Sequence, residues 1–257
     1  MKTPAIFVGH GSPMTTLEDN IYRQAWENLG KKLTKPKAIL IISAHWYADK
    51  TAVSDLAQPR QIYDFYGFPE ELYALKYNPP GSATLAKEVV KLLSPIIEVK
   101  IDNEWGIDHG AWVPLRSFFP QADIPVVQLS IDYTKSPAMH YKIGQALRPL
   151  REQGILIIGS GDIVHNLGQI KYDADAEPYP WAKEFEEKIL QHINNKEHEI
   201  LINYDKIDSM TRLAVPTPEH YLPLLYILAL RDKEDALEYF TNGISYGSVS
   251  MTSFIIN

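Results

Sequence analysis

The chain has 257 residues, 45% of them hydrophobic and 22% charged, an ordinary globular make-up and enough length for one large α/β domain. A net charge of -7 with no Lys/Arg cluster excludes an electrostatic footprint for nucleic acid. Cysteine is absent, so disulfides, thiolate zinc sites and iron–sulfur clusters are excluded, and any metal must be held by nitrogen and oxygen.

In chain order, the first apolar run, Ala5-Ile6-Phe7-Val8, reads as a buried strand that empties into Gly9-His10-Gly11-Ser12-Pro13. A helix is expected from about Thr16 to Leu33, with Lys31 and Lys32 in its last turn and Pro36 beyond it. Ala38-Ile39-Leu40-Ile41-Ile42 is the second strand and empties into Ser43-Ala44-His45-Trp46. From Tyr63 to Pro80 aromatic residues crowd among Gly and Pro. Such a loop can roof a pocket, but taken alone it reads more simply as a loop pinned to the core. A helix after Gly81-Ser82 carries Leu85, Val89, Val90, Leu92 and Leu93, and a strand follows from Pro125 to Ile131. Residues from Ala138 to Arg151 read as a helix ended by Gly154.

Ile155-Leu156-Ile157-Ile158 is another strand, emptying into Gly159-Ser160-Gly161-Asp162-Ile163-Val164-His165-Asn166. The last third is more helical, from Pro180 to about His192 and from Glu219 to about Leu230, before a closing strand from Tyr246 to Ile256. The alternation predicts an α/β fold spanning residues 1–257 as a single domain: a mostly parallel central sheet flanked by helices. The start is too short and no stretch is apolar enough for a signal peptide or a membrane span, so a soluble, cytoplasmic protein without membrane partners is expected.

The eight histidines divide by context. His140, His192 and His198 fall in polar or helical patterns and read as surface residues, whereas His10, His45 and His165 follow strands. His109 lies in the Gly-broken stretch Trp105-Gly106-Ile107-Asp108-His109-Gly110, and His220 in Pro216-Thr217-Pro218-Glu219-His220-Tyr221. Each alone has an ordinary structural explanation, as a hydrogen-bonded core or loop residue. Together, imidazoles delivered to the carboxyl edge of a parallel sheet, where ligands bind, point to a metal site. Imidazole suits zinc and ferrous iron, whereas magnesium and calcium prefer oxygen cages. Such a site can activate water, as in a hydrolase, or bind substrate with dioxygen, as in an oxygenase, and spacing does not choose. The glycines bracketing His10 and preceding His165 permit tight turns and close approach of a ligand.

These five histidine motifs, in this order, resemble the class III extradiol ring-cleavage dioxygenases, in the branch of the 4,5-DOPA extradiol dioxygenases. The resemblance runs from about residue 5 to the C-terminus. It implies one divalent metal held by His10, His45 and His220, with His165 as a further ligand or as the acid/base, and His109 either supporting the ligands from behind or contacting substrate. It also implies a catechol, DOPA-like substrate cleaved with dioxygen to a ring-opened semialdehyde. Fe(II) is expected for turnover, and Zn(II) is a suitable occupant of the same donors. The aromatic-degradation branch uses two histidines and a glutamate, so Glu219 competes with His220 for the third position. The alternatives are a zinc-dependent hydrolase using the same histidines and a non-catalytic binding member of the superfamily. Oligomeric state is not legible.

Overall fold

Strands rich in β-branched residues alternate with amphipathic helices. The computed structural model, which describes residues 2–257, places the elements as follows. The first half holds β1 (Ala5–Gly9), α1 (Ile21–Lys32), β2 (Ala38–Ala48), β3 (Ala52–Ser54), α2 (Glu70–Ala74), α3 (Ala83–Leu93), β4 (Lys100–Asp102), α4 (His109–Phe118) and β5 (Val126–Asp132). The second half holds α5 (Pro137–Leu147), α6 (Pro149–Glu152), β6 (Ile155–Gly161), α7 (Pro180–Asn194), α8 (His198–Ile202), α9 (Thr211–Ala214) and α10 (Leu222–Ala229). It closes with β7 (Leu237–Thr241), β8 (Ile244–Ser245), β9 (Val249–Ser250) and β10 (Ser253–Ile256).

Eight strands form one sheet in the order β4-β3-β5-β2-β6-β1-β10-β7, while β8 and β9 pair separately as a small hairpin. β5, β2, β6 and β1 are mutually parallel, and β3, β10 and β7 join through antiparallel pairings. The result is the expected α/β architecture with a mostly parallel centre. Alternate residues of each strand feed opposite faces. Phe7, Leu40 and Ile42 pack in one core with α3, α5, α7 and α10, whereas Ile6, Val8, Ile39 and Ile41 pack in the other with Trp26 of α1 and Trp112 of α4. Every residue of α10 is buried, which explains why that helix is apolar on all sides. Arg151, fully buried, spends its guanidinium on Thr3, Leu230 and Ile256 carbonyls and on Asp235, tying both ends of the chain to α6.

The first helix begins at Ile21 rather than Thr16. Pro13 starts a short 3-10 turn over Pro13–Thr16, and Asn20 then caps the helix by accepting from the Arg23 N–H. The expected helix from Ala138 to Arg151 is two, broken at Arg148 because Pro149 has no N–H to continue the ladder. The closing strand is also divided: Tyr246 and Gly247 both adopt positive φ (54° and 76°), turning the chain between β8 and β9. His140 is a correction, since it is fully buried and hydrogen-bonded through Nδ1 to the Tyr226 hydroxyl at 2.8 Å. Its polar sequence neighbours concealed a core-facing position on α5. Among the described residues, no helix is long and apolar enough to cross a membrane.

Candidate metal centre and active site

β1, β6 and β2 lie side by side, and their carboxyl ends set the site. His10 follows the last residue of β1. His45 does not follow β2 but sits inside it, because the strand runs on to Ala48. There Ile42 pairs with Leu129 and Tyr47 with Ile131, so residues 43–46 have one opposing residue and the strand swells. That bulge carries His45 to the edge. Gly161 closes β6 where a Cβ would lie 2.1 Å from the His220 carbonyl oxygen, and this absence lets the loop before α10 dock by an Asp162 N–H to His220 C=O bond of 2.8 Å.

The ring nitrogens show a common arrangement. Ser160 Oγ donates to the Gly110 carbonyl at 2.5 Å, so it accepts from His10 Nδ1–H at 3.0 Å. His45 Nδ1 lies 3.1 Å from Asp64 Oδ2, and His220 Nδ1 lies 3.1 Å from Glu219 Oε1. Each imidazole is thereby anchored at its Nδ1, which leaves Nε2 as the nitrogen that can serve a metal. The Nε2 atoms of His10 and His45 are 3.1 Å apart, and His220 Nε2 is buried without a partner. Two ring nitrogens this close must share either a proton or a metal ion. Two nitrogens each about 2.1 Å from one tetrahedral ion sit about 3.4 Å apart, so the separation fits a shared metal. The donor atoms of His10, His45 and His109 converge as one potential ligand group, as do those of His10, Asp162 and His220 and those of His165, Glu219 and His220.

His109 opens α4, which Asp108 caps by accepting from the Ala111 N–H. Asp108 is otherwise occupied by Ser43 Oγ at 2.6 Å and Gln128 Nε2 at 2.8 Å, so it faces the scaffold. His109 Nδ1 is 3.0 Å from Asp64 Oδ2, although its N–H is not aimed for a hydrogen bond, and its backbone N–H donates to Asp64 Oδ1 at 2.9 Å. His165 stacks flat on His220, with ring centroids 3.5 Å apart and planes 7° from parallel. His192 and His198 stay at the partly exposed surface, engaged by Glu197 and Tyr141.

Burial is the chief force on this cluster, and it holds His10 and His220 well below the usual imidazole range, with neighbouring histidines adding repulsion. His109 is lowered, by burial and then by His45, and His165 is pushed down to about 3 by burial, then by His45 and His109. Burial is the strongest influence on His45 and opposes its charge, but Asp64 together with the nearby carboxylates of Asp108 and Asp162 raises it in sum. Burial opposes the Asp64 charge as well, yet His109 and His45 overcome it and keep this carboxyl well below the usual range. Two acids were missed by the sequence reading. Asp64 sits in the aromatic loop with nothing local to mark it. Asp162 is fully buried beside the glycines, accepts from the Gly11 N–H at 3.1 Å, and leaves Oδ2 unpartnered 3.8 Å from His10 Nε2.

The cluster floors a cavity of about 830 Å³, within the range of small-molecule sites. Asp64, Phe65, Tyr66 and Phe68 line it, so the aromatic loop roofs the pocket, while Tyr63, Phe65 and Phe68 also pack against the core. It does both jobs.

The sequence profile described as the catalytic LigB subunit of aromatic ring-opening dioxygenase matches residues 4–255. The 4,5-DOPA dioxygenase extradiol of Escherichia coli (strain K12) is 46% identical over 256 residues, covering 98% of this chain and 94% of the relative. The protein of the same name from Beta vulgaris is 39% identical over 259 residues, with 96% of each covered. The crystal structure of an uncharacterized protein from Escherichia coli K12 matches with a TM-score of 0.88 at 42% identity, covering 100% of both chains. Nothing in these likenesses favours a hydrolase or a non-catalytic binder. The chain therefore belongs to the LigB family of aromatic ring-opening dioxygenases: it is a metal-binding extradiol dioxygenase that opens the ring of a small molecule with dioxygen.

Proposed function

We propose that residues 1–257 act as one catalytic unit, cytoplasmic, that cleaves a DOPA-like catechol to a ring-opened semialdehyde, with Fe(II) held by His10, His45 and His220. The observation that carries this reading is the shared arrangement of the three imidazoles, each anchored at Nδ1, with the Nε2 atoms of His10 and His45 3.1 Å apart and that of His220 buried without a partner. Zn(II) suits the same neutral donors and competes for the site during purification. When bound, the ion supplies Lewis acidity that lowers the pKa of a hydroxyl, and iron supplies the redox partner for dioxygen. His220 is the third ligand in this account, because Glu219 accepts from His220 Nδ1 and from the Thr217 hydroxyl at 2.8 Å and is spent orienting the ring.

The chain's own groups do the rest. His165, held neutral by burial, takes the proton of a catechol hydroxyl and returns it as the ring opens. His109, between Asp64 and the Phe65 ring, presses on the substrate from the roof side. Phe65 and Phe68 offer apolar faces to an aromatic ring and limit the access of water.

Elemental analysis separates these roles. His10→Ala, His45→Ala and His220→Ala each lose stoichiometric metal, whereas Glu219→Gln and His165→Gln retain it. His165→Gln with iron bound loses about 10²–10⁴-fold in turnover, the usual contribution of a general acid/base. Full turnover by that variant, or stoichiometric metal in a ligand variant, contradicts the assignment of the residue concerned.

A further inference from the structure

Tyr246 stands where the backbone asks for a different residue. The Ser248 N–H donates to the Ser245 carbonyl at 3.3 Å, so Tyr246 and Gly247 are the central pair of the turn between β8 and β9, and both have positive φ (54° and 76°). Such a turn favours Asn, Asp or Gly at both places, and a bulky L side chain there is strained. Hydrogen bonds hold the strain in place: the Tyr246 N–H donates to Ala174 at 3.0 Å, and the Tyr246 carbonyl accepts the Lys171 N–H at 2.8 Å. The same hairpin is tied to the segment of His165, by Ser250 N–H to Val164 C=O at 2.8 Å and Asn166 N–H to Ser248 C=O at 3.1 Å. A strained residue fixed this firmly to the chain that carries the acid/base points to a use for its side chain.

That side chain lines the cavity together with Phe65, Tyr66, Phe68 and Tyr172. Tyr66 and Tyr172 stand almost fully in solvent at the mouth, 92% and 103% exposed. Among the described residues that line the cavity there is no Lys or Arg. Lys171, beside Tyr172 in sequence, is turned onto other partners: its Nζ donates to the Glu177 carbonyl at 2.5 Å and lies 4.4 Å from the centre of the Tyr179 ring. The Tyr246 hydroxyl pairs with that of Ser12, and its oxygen keeps a lone pair for a donor from the cavity. Burial first, then the charge of Glu18 with a further contribution from Asp175, holds this phenol above its ordinary range. Asp64 adds a third carboxylate at the cavity. The wall thus gathers aromatic faces and negative charge with no cation to offset them. An ammonium brought there is attracted by the ring faces and by the field. A carboxylate on the same substituent keeps its water, because the mouth is open at Tyr66 and Tyr172.

Building on the catechol reading above, we propose that this site recognises the amino group of a DOPA-like substrate: the ammonium lies against the aromatic wall, and Tyr246 Oη accepts a hydrogen bond from it. Tyr246 is then a specificity-determining residue, and the substrate class is catechols that carry a primary amine on the ring substituent. Recognition of the diol falls to the histidine floor, and recognition of the amine to the wall.

DOPA and 3-(3,4-dihydroxyphenyl)propionate test this, since both keep the carboxylate and only DOPA has the amine. With iron-loaded protein and oxygen uptake as the readout, kcat/KM is expected to be at least about tenfold higher for DOPA, mainly through KM. Tyr246→Phe keeps the ring and removes the hydroxyl, and is expected to shrink that ratio at least about fivefold by raising KM for DOPA. Tyr246→Asn, a residue that suits the turn, is expected to lose the preference with an undiminished thermal midpoint. Equal or better use of the propionate by the unmodified protein overturns the proposal, as does a ratio untouched by Tyr246→Phe. A lowered midpoint in Tyr246→Asn with the preference retained assigns the tyrosine to packing and overturns it too. If the unmodified protein consumes neither compound with iron confirmed bound, the catechol reading itself falls and takes the proposal with it.

Discussion

Asp64 organises the site through one carboxylate: Oδ2 lies 3.1 Å from His45 Nδ1 and 3.0 Å from His109 Nδ1, and Oδ1 accepts the His109 backbone N–H. Removing its charge while keeping its shape should disturb the histidines without unfolding the chain, since its side chain is 19% exposed and lies in a loop. Asp64→Asn is therefore expected to weaken metal binding about 10–100-fold, the usual effect of losing a partner that orients a ligand. Chelator competition measures this, and an unchanged affinity contradicts the role. His10, His45, His109 and His165 were legible because apolar runs and glycine-broken stretches mark them, and His220 because prolines break the chain just before a helix. Asp64 was not, because a lone acid among Tyr63, Phe65, Tyr66 and Phe68 has no period or spacing, and only the folded loop brings it to His45. Asp162 was hidden differently. Gly159, Gly161 and His165 mark the turn, but which side of it the carboxyl takes depends on the Gly11 N–H it accepts.

Among the elements, the turn at Gly161 joins the sheet to α10 and so fixes His220. A Cβ there meets the His220 carbonyl at 2.1 Å, which is backbone and cannot rotate away. Gly161→Ala is expected to cost about 1–3 kcal/mol, as overpacking commonly does, and to lower metal occupancy because His220 must shift. Urea unfolding and elemental analysis check both parts, and native stability with full metal contradicts the account. Strong periodicity made α3 and α7 legible from sequence, with Ser82 and Pro180 marking their starts. Boundaries failed where local chemistry interrupted the pattern: the turn at Pro13, the break before Pro149 and the positive φ at Tyr246. The bulge that displaces His45 depends on pairing with β5, a non-local contact that one strand's sequence does not encode.

For the whole molecule, the alternation of strands and helices announced the α/β class, but not the strand order or the antiparallel flanks, which depend on packing across the sheet. Two buried groups away from the metal site should shape stability against pH. Glu186 of α7, hydrogen-bonded to Ser250, is raised to about 7 from 4.5 by burial. The native state then holds a proton that the unfolded chain releases, so this stabilisation is complete below about pH 4.5 and lost as pH rises to about 7. His140 is lowered to about 4 from 6.5, again by burial, so its contribution is present above about pH 6.5 and lost as pH falls toward 4. Each shift is worth about 3 kcal/mol at about 1.4 kcal/mol per unit. Glu186→Gln is expected to raise stability at pH 8 and flatten the alkaline side of the profile, as read by denaturant midpoints at several pH values. A variant with the parent's alkaline slope would remove Glu186 from this balance.

The most direct test of the account is oxygen uptake by anaerobically iron-loaded protein given DOPA or a simple catechol, with spectra recorded for a yellow semialdehyde. One dioxygen is expected to be consumed per catechol with appearance of the yellow product, and both are expected to be lost in His165→Gln that still holds iron. A panel of catechols that leaves dissolved oxygen untouched, with iron confirmed in the protein, would contradict it.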